Sequence, residues 1–339
     1  MSDPGALDGL KLPEQRQAAT GHDAARAAVL QQLQARRLPG AILLHGPQGI
    51  GKATLAFELA AAILTETGDE PAGRVREQVA ALSHPNLSVL RRRPKDARSF
   101  YTVIRVEDVR ALREALQHTR GRAGHRIAVI DSIDECNGSA ANALLKTLEE
   151  PPADTTFLLI SHRPGQLLPT IRSRCHNLAL RPLAEEQVAG IVAADQPELA
   201  ADALERAVQL AGGRPRRAFE TLALAADSPV GGLLGWLAQP AAAPVATALG
   251  LADALGRDPQ GPDMSFAREI LGNWLAGEMR DAAVQPGERR RLASATELWD
   301  KAHALLEEAD SVNLDMKQTL VVIFDAIRKH CTLIAPEPL

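Results

Sequence analysis

The run from Gly46 to Lys52, Gly-Pro-Gln-Gly-Ile-Gly-Lys, has the residue types and spacing of a phosphate-binding loop. Glycines let backbone N–H groups converge on phosphate oxygens, and a helix beginning directly after them adds its positive dipole end. Gly46, Gly49 and Gly51 would form such a cradle. Lys52 would reach the β- and γ-phosphates of a nucleotide. The run therefore predicts a site for ATP or ADP, and the alternative is a glycine-rich turn that binds no ligand.

Two positions near this loop lack groups that ATP hydrolysis requires. Ala53 stands where a hydroxyl would bind Mg²⁺, and Thr54 lies about 100° further around the helix, too far to replace it simply. Asp131 ends an apolar run and is placed like a Mg²⁺-associated carboxylate, although a capping role is the alternative. Ser132 follows it, where a hydrolytic site would carry a glutamate that orients water. We expect weak or vestigial nucleotide binding and little hydrolysis.

A second motif consists of residues 142–152, Asn-Ala-Leu-Leu-Lys-Thr-Leu-Glu-Glu-Pro-Pro, followed by Ser173-Arg174-Cys175. The Arg174 guanidinium has two interpretations. It could clamp backbone carbonyls of its own chain, or it could be a finger offered to a phosphate outside the chain. Taken alone, these three residues favour the clamp.

A basic cluster occupies residues 91–98, with Phe100 and Tyr101 nearby. Basic side chains interleaved with aromatic rings can hold a nucleic-acid backbone. A solvated loop is the better interpretation, because the net charge of the chain is −4 and nothing global requires a polyanionic partner.

The composition is that of an ordinary globular protein, with 45% apolar and 24% charged residues among 339, enough for two or three domains. Cys136, Cys175 and Cys331 are far apart, which argues against a zinc site or a disulfide framework and fits a reducing cytosol. The first five residues show no signal-peptide pattern. We expect a cytoplasmic protein without a membrane association.

The apolar runs that surround these motifs predict an α/β fold. Strands are expected at 41–44, 126–130 and 156–160, alternating with helices at 22–37, 53–64, 107–118 and 139–150, which indicates a mostly parallel sheet with helices on both faces. Residues 65–105 give no clear pattern. Beyond residue 182 strand patterns disappear, and helices are expected at 185–194, 198–211, 216–226, 246–255, 288–309 and 316–330. The predicted division is 1–182, 183–226 and 227–339.

Taken together, the phosphate loop, residues 104–110, residues 142–152 and residues 168–175 resemble the AAA+ subunits of bacterial DNA polymerase III clamp loaders. The resemblance covers about residues 15–225. It implies an AAA+ (RecA-like) α/β module, a helical lid and an all-α C-terminal bundle that forms a collar.

The hydrolytic members of this family have a complete phosphate loop, an acidic pair after the Walker B strand (the strand that ends at Asp131 here) and a four-cysteine zinc module after the first helix. This chain departs at Ala53, at Ser132, and in having no cysteine between residues 64 and 90. The resemblance is best to the member that loses hydrolysis but keeps the finger. It implies that Arg174 acts on a neighbour's ATP and that Arg216 corresponds to the lid arginine that senses nucleotide.

The resemblance also implies partners: delta and gamma/tau subunits in a heteropentamer, the sliding clamp and primed DNA, as part of the DNA polymerase III holoenzyme. Two other classes of protein stay open. One is an autonomous AAA+ ATPase motor of the gamma/tau or small clamp-loader type. The other is a DNA-binding protein that uses the basic cluster.

Overall fold

The computed structural model describes residues 7, 9–95, 100–117, 122–224, 228–259, 261–284, 289–312 and 314–333. The chain forms two compact units, Met1–Glu220 and Thr221–Leu339. The division into three parts with junctions at 182 and 226 stays a prediction. Among the described residues, no helix is both long enough and apolar enough to cross a membrane.

The first unit is built on a sheet in which all strand pairs are parallel. Its described strands lie in the order β2-β3-β4-β1-β5. In chain order they are β1 (Ala41–His45), β2 (Leu87–Leu90), β3 (Arg126–Asp131), β4 (Thr155–Ser161) and β5 (His176–Ala179). The predicted α/β class, a mostly parallel sheet followed by an all-helical C-terminal region, is confirmed.

Helices cover both faces of this sheet. One face is covered by α1 (Asp23–Gln34), α2 (Lys52–Thr67) and α3 (Ala72–Ala80), and the other by α4 (Val106–Gln117), α5 (Gly138–Glu149) and α6 (Pro169–Arg172). The helices α7 (Glu185–Asp195), α8 (Ala201–Ala211) and α9 (Pro215–Ala223) follow the sheet in the chain. Successive side chains of a strand point to opposite faces, so each central strand serves two cores. Ile42 and Leu44 pack in the core that contains α2, whereas Leu43 packs in the core that contains α4 and α5.

Two sheet-edge strands and two helices of this unit, α3 and α6, were not predicted. β2 and α3 lie in the segment 65–105, and β5 follows the Ser-Arg-Cys motif. Both strands have only four residues and are partly exposed, so they lack the continuous apolar run that marks the central strands. Edge position therefore explains why the sequence pattern was weak.

The second unit consists of helices throughout its described residues. They are α10 (Pro229–Ala238), α11 (Val245–Gly256), α12 (Pro262–Val284), α13 (Arg289–Val312) and α14 (Met316–Leu333). Trp236 is buried in their common core, with its ring centroid 4.8 Å from that of Phe324. Asp315 caps the last helix, since its carboxylate accepts a hydrogen bond from the backbone N–H of Gln318 at 3.1 Å. α12 was not predicted, because Gly272 and Gly277 interrupt its pattern.

Candidate functional site

The phosphate loop connects β1 to α2 and depends on its glycines. Gly46 has φ +149°, and a Cβ there would lie 2.2 Å from the carbonyl oxygen of Leu180. Gly49 has φ +83°, and a Cβ there would lie 3.0 Å from Cβ of Arg216. Gly51 is the left-handed residue that immediately precedes α2. At these places a side chain would be strained by the backbone conformation, by close contacts, or by both.

Lys52 is the first residue of α2, and its side chain is folded back into the loop. Its Nζ donates hydrogen bonds to the carbonyl oxygens of Gly46 at 2.7 Å and Pro47 at 2.5 Å. The residue is only 2% exposed. Burial lowers the pKa of the ammonium group to about 8, against the opposing effect of Asp134 and Asp131. These two carbonyl oxygens thus satisfy the Lys52 ammonium group, and the oxygens of a bound phosphate could take their place.

A cavity of about 250 Å³ brings most of the predicted cofactor-binding residues together. Its lining includes Gly49, Gly51, Lys52, Asp131 and Arg216. Gly46 is not in the lining but binds Lys52 through its carbonyl. The two positions without catalytic groups, Ala53 and Ser132, also line the cavity, as do apolar side chains suited to a flat base: Leu10, Leu12, Ile50, Leu183 and Phe219.

Asp131 ends β3 and is paired with Arg91, the residue that follows β2. Nε of Arg91 lies 3.3 Å from Oδ2 of Asp131, and its two Nη atoms lie 3.0 and 2.9 Å from the carboxylate oxygens of Glu14. The guanidinium also lies over the ring of Phe57, 5.3 Å from the centroid. Neither Glu14 nor this role for Arg91 was predicted from the sequence.

Two more arginines of the basic cluster are also paired with acids. Nε of Arg92 lies 2.9 Å from Glu135, and Nε of Arg93 lies 2.8 Å from Asp108. Arg98 lies outside the described residues. These pairs oppose the interpretation of the cluster as a free nucleic-acid surface, because its described arginines already have carboxylate partners.

Asp134 is a site residue whose role sequence reasoning missed. Its carboxylate accepts hydrogen bonds from Oγ of Ser161 at 2.8 Å, from the backbone N–H of His162 at 2.5 Å and from Oγ of Ser132 at 3.3 Å. It thereby joins the turn after β3 to the end of β4. Burial and the nearby Lys52 lower the pKa of His162 to about 4, so this cavity-lining imidazole is neutral at physiological pH.

Arg216 lies in α9 and contacts the loop from the other side. Its backbone N–H donates to the carbonyl of Gly49 at 3.3 Å, and its Nε donates to Oε1 of Glu220 at 2.8 Å. The predicted nucleotide-sensing arginine therefore lines the cavity, with Glu220 holding its side chain.

Arg174 follows α6 and does not line the cavity. Its Nη1 donates to the carbonyl of Thr170 at 3.0 Å, and its Nη2 lies 2.9 Å from Oε1 of Glu149. The side chain is 36% exposed. Cys175 is buried in the core beneath it, and burial raises the pKa of its thiol to about 11. The guanidinium is thus held by its own chain while part of it faces solvent.

Comparison with known proteins shows which proteins this chain is similar to. Residues 21–184 match the family model described as DNA polymerase III, delta subunit. The delta' subunit of Pseudomonas aeruginosa DNA polymerase III is 39% identical over 182 residues, 52% of this chain and 53% of its own. The Escherichia coli delta' subunit is 34% identical over 192 residues, 55% of each chain. This chain thus spans about half the length of the curated relatives it matches.

Among solved structures, a variant of RuvB from Thermotoga maritima aligns with 96% of this chain and 94% of its own, at a TM-score of 0.45 and 18% identity. The sequence match carries the comparison: over residues 21–184 the chain is similar to the DNA polymerase III delta-subunit family, and delta' subunits are among its relatives.

Proposed function

We propose that this protein is a delta'-type clamp-loader subunit of bacterial DNA polymerase III. One observation carries the proposal: the cavity has a phosphate loop without catalytic groups at Ala53 and Ser132, while Arg174 lies outside that cavity. A subunit of this kind does not drive the motor with its own ATP. It contributes to the motor through its neighbours.

Arg174 is the residue that acts on a neighbour in this proposal. Phosphoryl transfer concentrates negative charge on the transferring oxygens, and a guanidinium supplied from an adjacent subunit stabilises that charge. The partial exposure of Arg174, its tether to Glu149 and the buried Cys175 below it support this role. The direct test is the rate of ATP hydrolysis by an assembled complex that carries Arg174→Ala.

The partners follow from the same proposal. They are the delta and gamma/tau subunits in a heteropentamer, the sliding clamp that the complex opens, and the primed DNA on which it is placed. ATP or ADP in the chain's own cavity would be a bound ligand rather than a substrate.

The subunit assignment is tested by co-purification with the delta and gamma/tau subunits of the same organism, together with ATP turnover by the isolated chain. We expect a stable complex, and hydrolysis by the chain alone far below about 1 s⁻¹, the low end of ordinary enzyme turnover. Ordinary turnover that Lys52→Ala abolishes would favour the autonomous motor instead. Failure to associate with the other subunits would contradict the assignment.

A further inference from the structure

Asp131 already has a cation beside it, and the sheet itself puts that cation there. β2 pairs with β3 so that Leu90 lies opposite Ile130. Arg91 and Asp131, the residues that follow Leu90 and Ile130, therefore lie side by side. The Arg91 side chain is 12% exposed, and that of Glu14, which binds both of its Nη groups, is 3% exposed. A buried bidentate pair of this kind fixes the guanidinium in place.

The residues around the loop do not fit Mg²⁺, the ion that sites of this kind usually hold. Mg²⁺ requires oxygen ligands in near-ideal octahedral geometry, among them a carboxylate and a hydroxyl of the protein. Ala53 provides no oxygen, and Oγ of Ser132 donates to Asp134. The carboxylate of Asp131 is shared with Arg91, whose positive charge would repel a divalent ion.

The charges of the cavity suit an anion that arrives without a metal. Its lining carries more basic side chains than carboxylates: Lys11, Arg16, Lys52, Arg92 and Arg216 against Asp131 and Glu135. One of the two acids is paired with Arg92, and the other with Arg91. Arg16 and Arg216 also have acid partners, Asp195 and Glu220, so the positive charge of Lys11 and Lys52 is what can neutralise a polyphosphate directly, as Mg²⁺ would do elsewhere.

We infer that Arg91 is a built-in counter-cation for Asp131, and that the cavity takes a nucleoside di- or triphosphate as the metal-free anion. This inference rests on the cavity being the nucleotide site of the proposed function. It does not depend on Arg174, on partner subunits or on clamp loading, so a failure here leaves the subunit assignment standing.

The test is a titration of the isolated full chain with ADP, by calorimetry, in EDTA and in excess Mg²⁺. For the unmodified chain we expect excess Mg²⁺ to weaken the apparent ADP affinity several-fold, because Mg²⁺ in solution competes with the cavity for the metal-free anion. Asp131→Asn, which keeps the shape of the side chain but removes its charge, should respond to Mg²⁺ in the same direction. Arg91→Gln should weaken binding in EDTA, and Mg²⁺ should then restore several-fold of the affinity, because the Arg91 guanidinium no longer neutralises Asp131.

Arg93→Gln is the matched control, since Arg93 is paired with Asp108 and does not line the cavity. It should leave the ratio of the two dissociation constants unchanged. Because Arg91→Gln leaves Glu14 buried without its partner, Glu14→Gln with Arg91→Gln keeps the test valid if the single variant misfolds. Tightening of the unmodified chain's ADP affinity by about tenfold or more in Mg²⁺ would overturn the inference. Absence of ADP binding in both conditions would overturn it as well.

Discussion

Lys52 makes phosphate binding in the cavity depend on pH. Because burial holds its pKa near 8, the ammonium group loses its proton as the pH rises from about 7 to about 9. Losing one charge-assisted hydrogen bond corresponds to about tenfold in affinity. We expect the ADP dissociation constant, measured by calorimetry, to rise by about that factor across this range.

The control is Lys52→Ala, which should bind ADP weakly throughout this pH range and show no such dependence. An affinity of the unmodified chain that does not fall above pH 8 would mean that Lys52 does not contact phosphate.

At the residue scale, the sequence could predict those site residues that lie close together in the chain or end a strand. Gly49, Gly51 and Lys52 belong to one loop, and Asp131 ends an apolar run. The pairing of Arg91 with Glu14 could not be predicted, since 77 positions separate them and only the folded chain places them together. The same holds for Asp134, whose hydrogen-bond donors on β4 and the turn after it are 27 and 28 positions away.

At the scale of elements, Asp134 connects the turn after β3 to the end of β4. In Asp134→Ala, the hydroxyl of the fully buried Ser161 and the backbone N–H of His162 lose their acceptor. Each unsatisfied buried group costs about 1–3 kcal/mol. We expect the free energy of unfolding, measured by urea denaturation, to fall by about 2–4 kcal/mol.

The matched control for this variant is Asp69→Ala. Its carboxylate is 62% exposed and lies 3.6 Å from Arg122, so its loss should change stability by less than about 1 kcal/mol. Equal losses for the two variants would mean that Asp134 does not hold the strand end.

The elements themselves could be predicted where burial was complete. The central strands β1, β3 and β4 are continuous apolar runs, and their prediction follows from burial on both faces. β2 and β5 lie at the two edges of the sheet and bury less, so their residues carry little signal. Helix α12 was not predicted for a different reason. Two glycines weaken its local helical pattern, and packing within the second unit stabilises the helix despite them.

At the scale of the whole molecule, we expect residues 230–339 to provide the assembly surface, and their deletion to abolish complex formation. Val245 and Leu249 lie four positions apart on α11 and are 59% and 46% exposed. Apolar side chains adjacent on a helix surface suit contact with a partner helix. Replacing both with Gln should weaken co-purification with the delta and gamma/tau subunits by about tenfold or more.

Leu82→Gln is the control for that experiment. Leu82 is 40% exposed and lies in the first unit. Its replacement should leave co-purification unchanged. If the α11 variant assembles as well as this control, the predicted collar surface is elsewhere.

The central claim is that Arg174 acts on a neighbour's ATP. We expect an assembled complex with Arg174→Ala to keep its composition but to lose about tenfold or more in clamp loading on primed DNA, together with DNA-stimulated ATP hydrolysis. Fingers in well-studied GTPases contribute about 10³–10⁵ in rate, so this expectation is modest. Arg174→Lys should not restore the rate, because a point charge lacks the planar fork.

Arg172→Ala is the matched control, since Arg172 is exposed on the same short helix. The decisive measurement is the steady-state rate of DNA-stimulated ATP hydrolysis by the two assembled complexes at saturating ATP. The account predicts an unchanged rate with Arg172→Ala and a strongly lowered rate with Arg174→Ala. If the Arg174→Ala complex hydrolyses ATP at the rate of the unmodified complex, or if the variant fails to assemble, Arg174 only clamps Thr170 and Glu149 of its own chain.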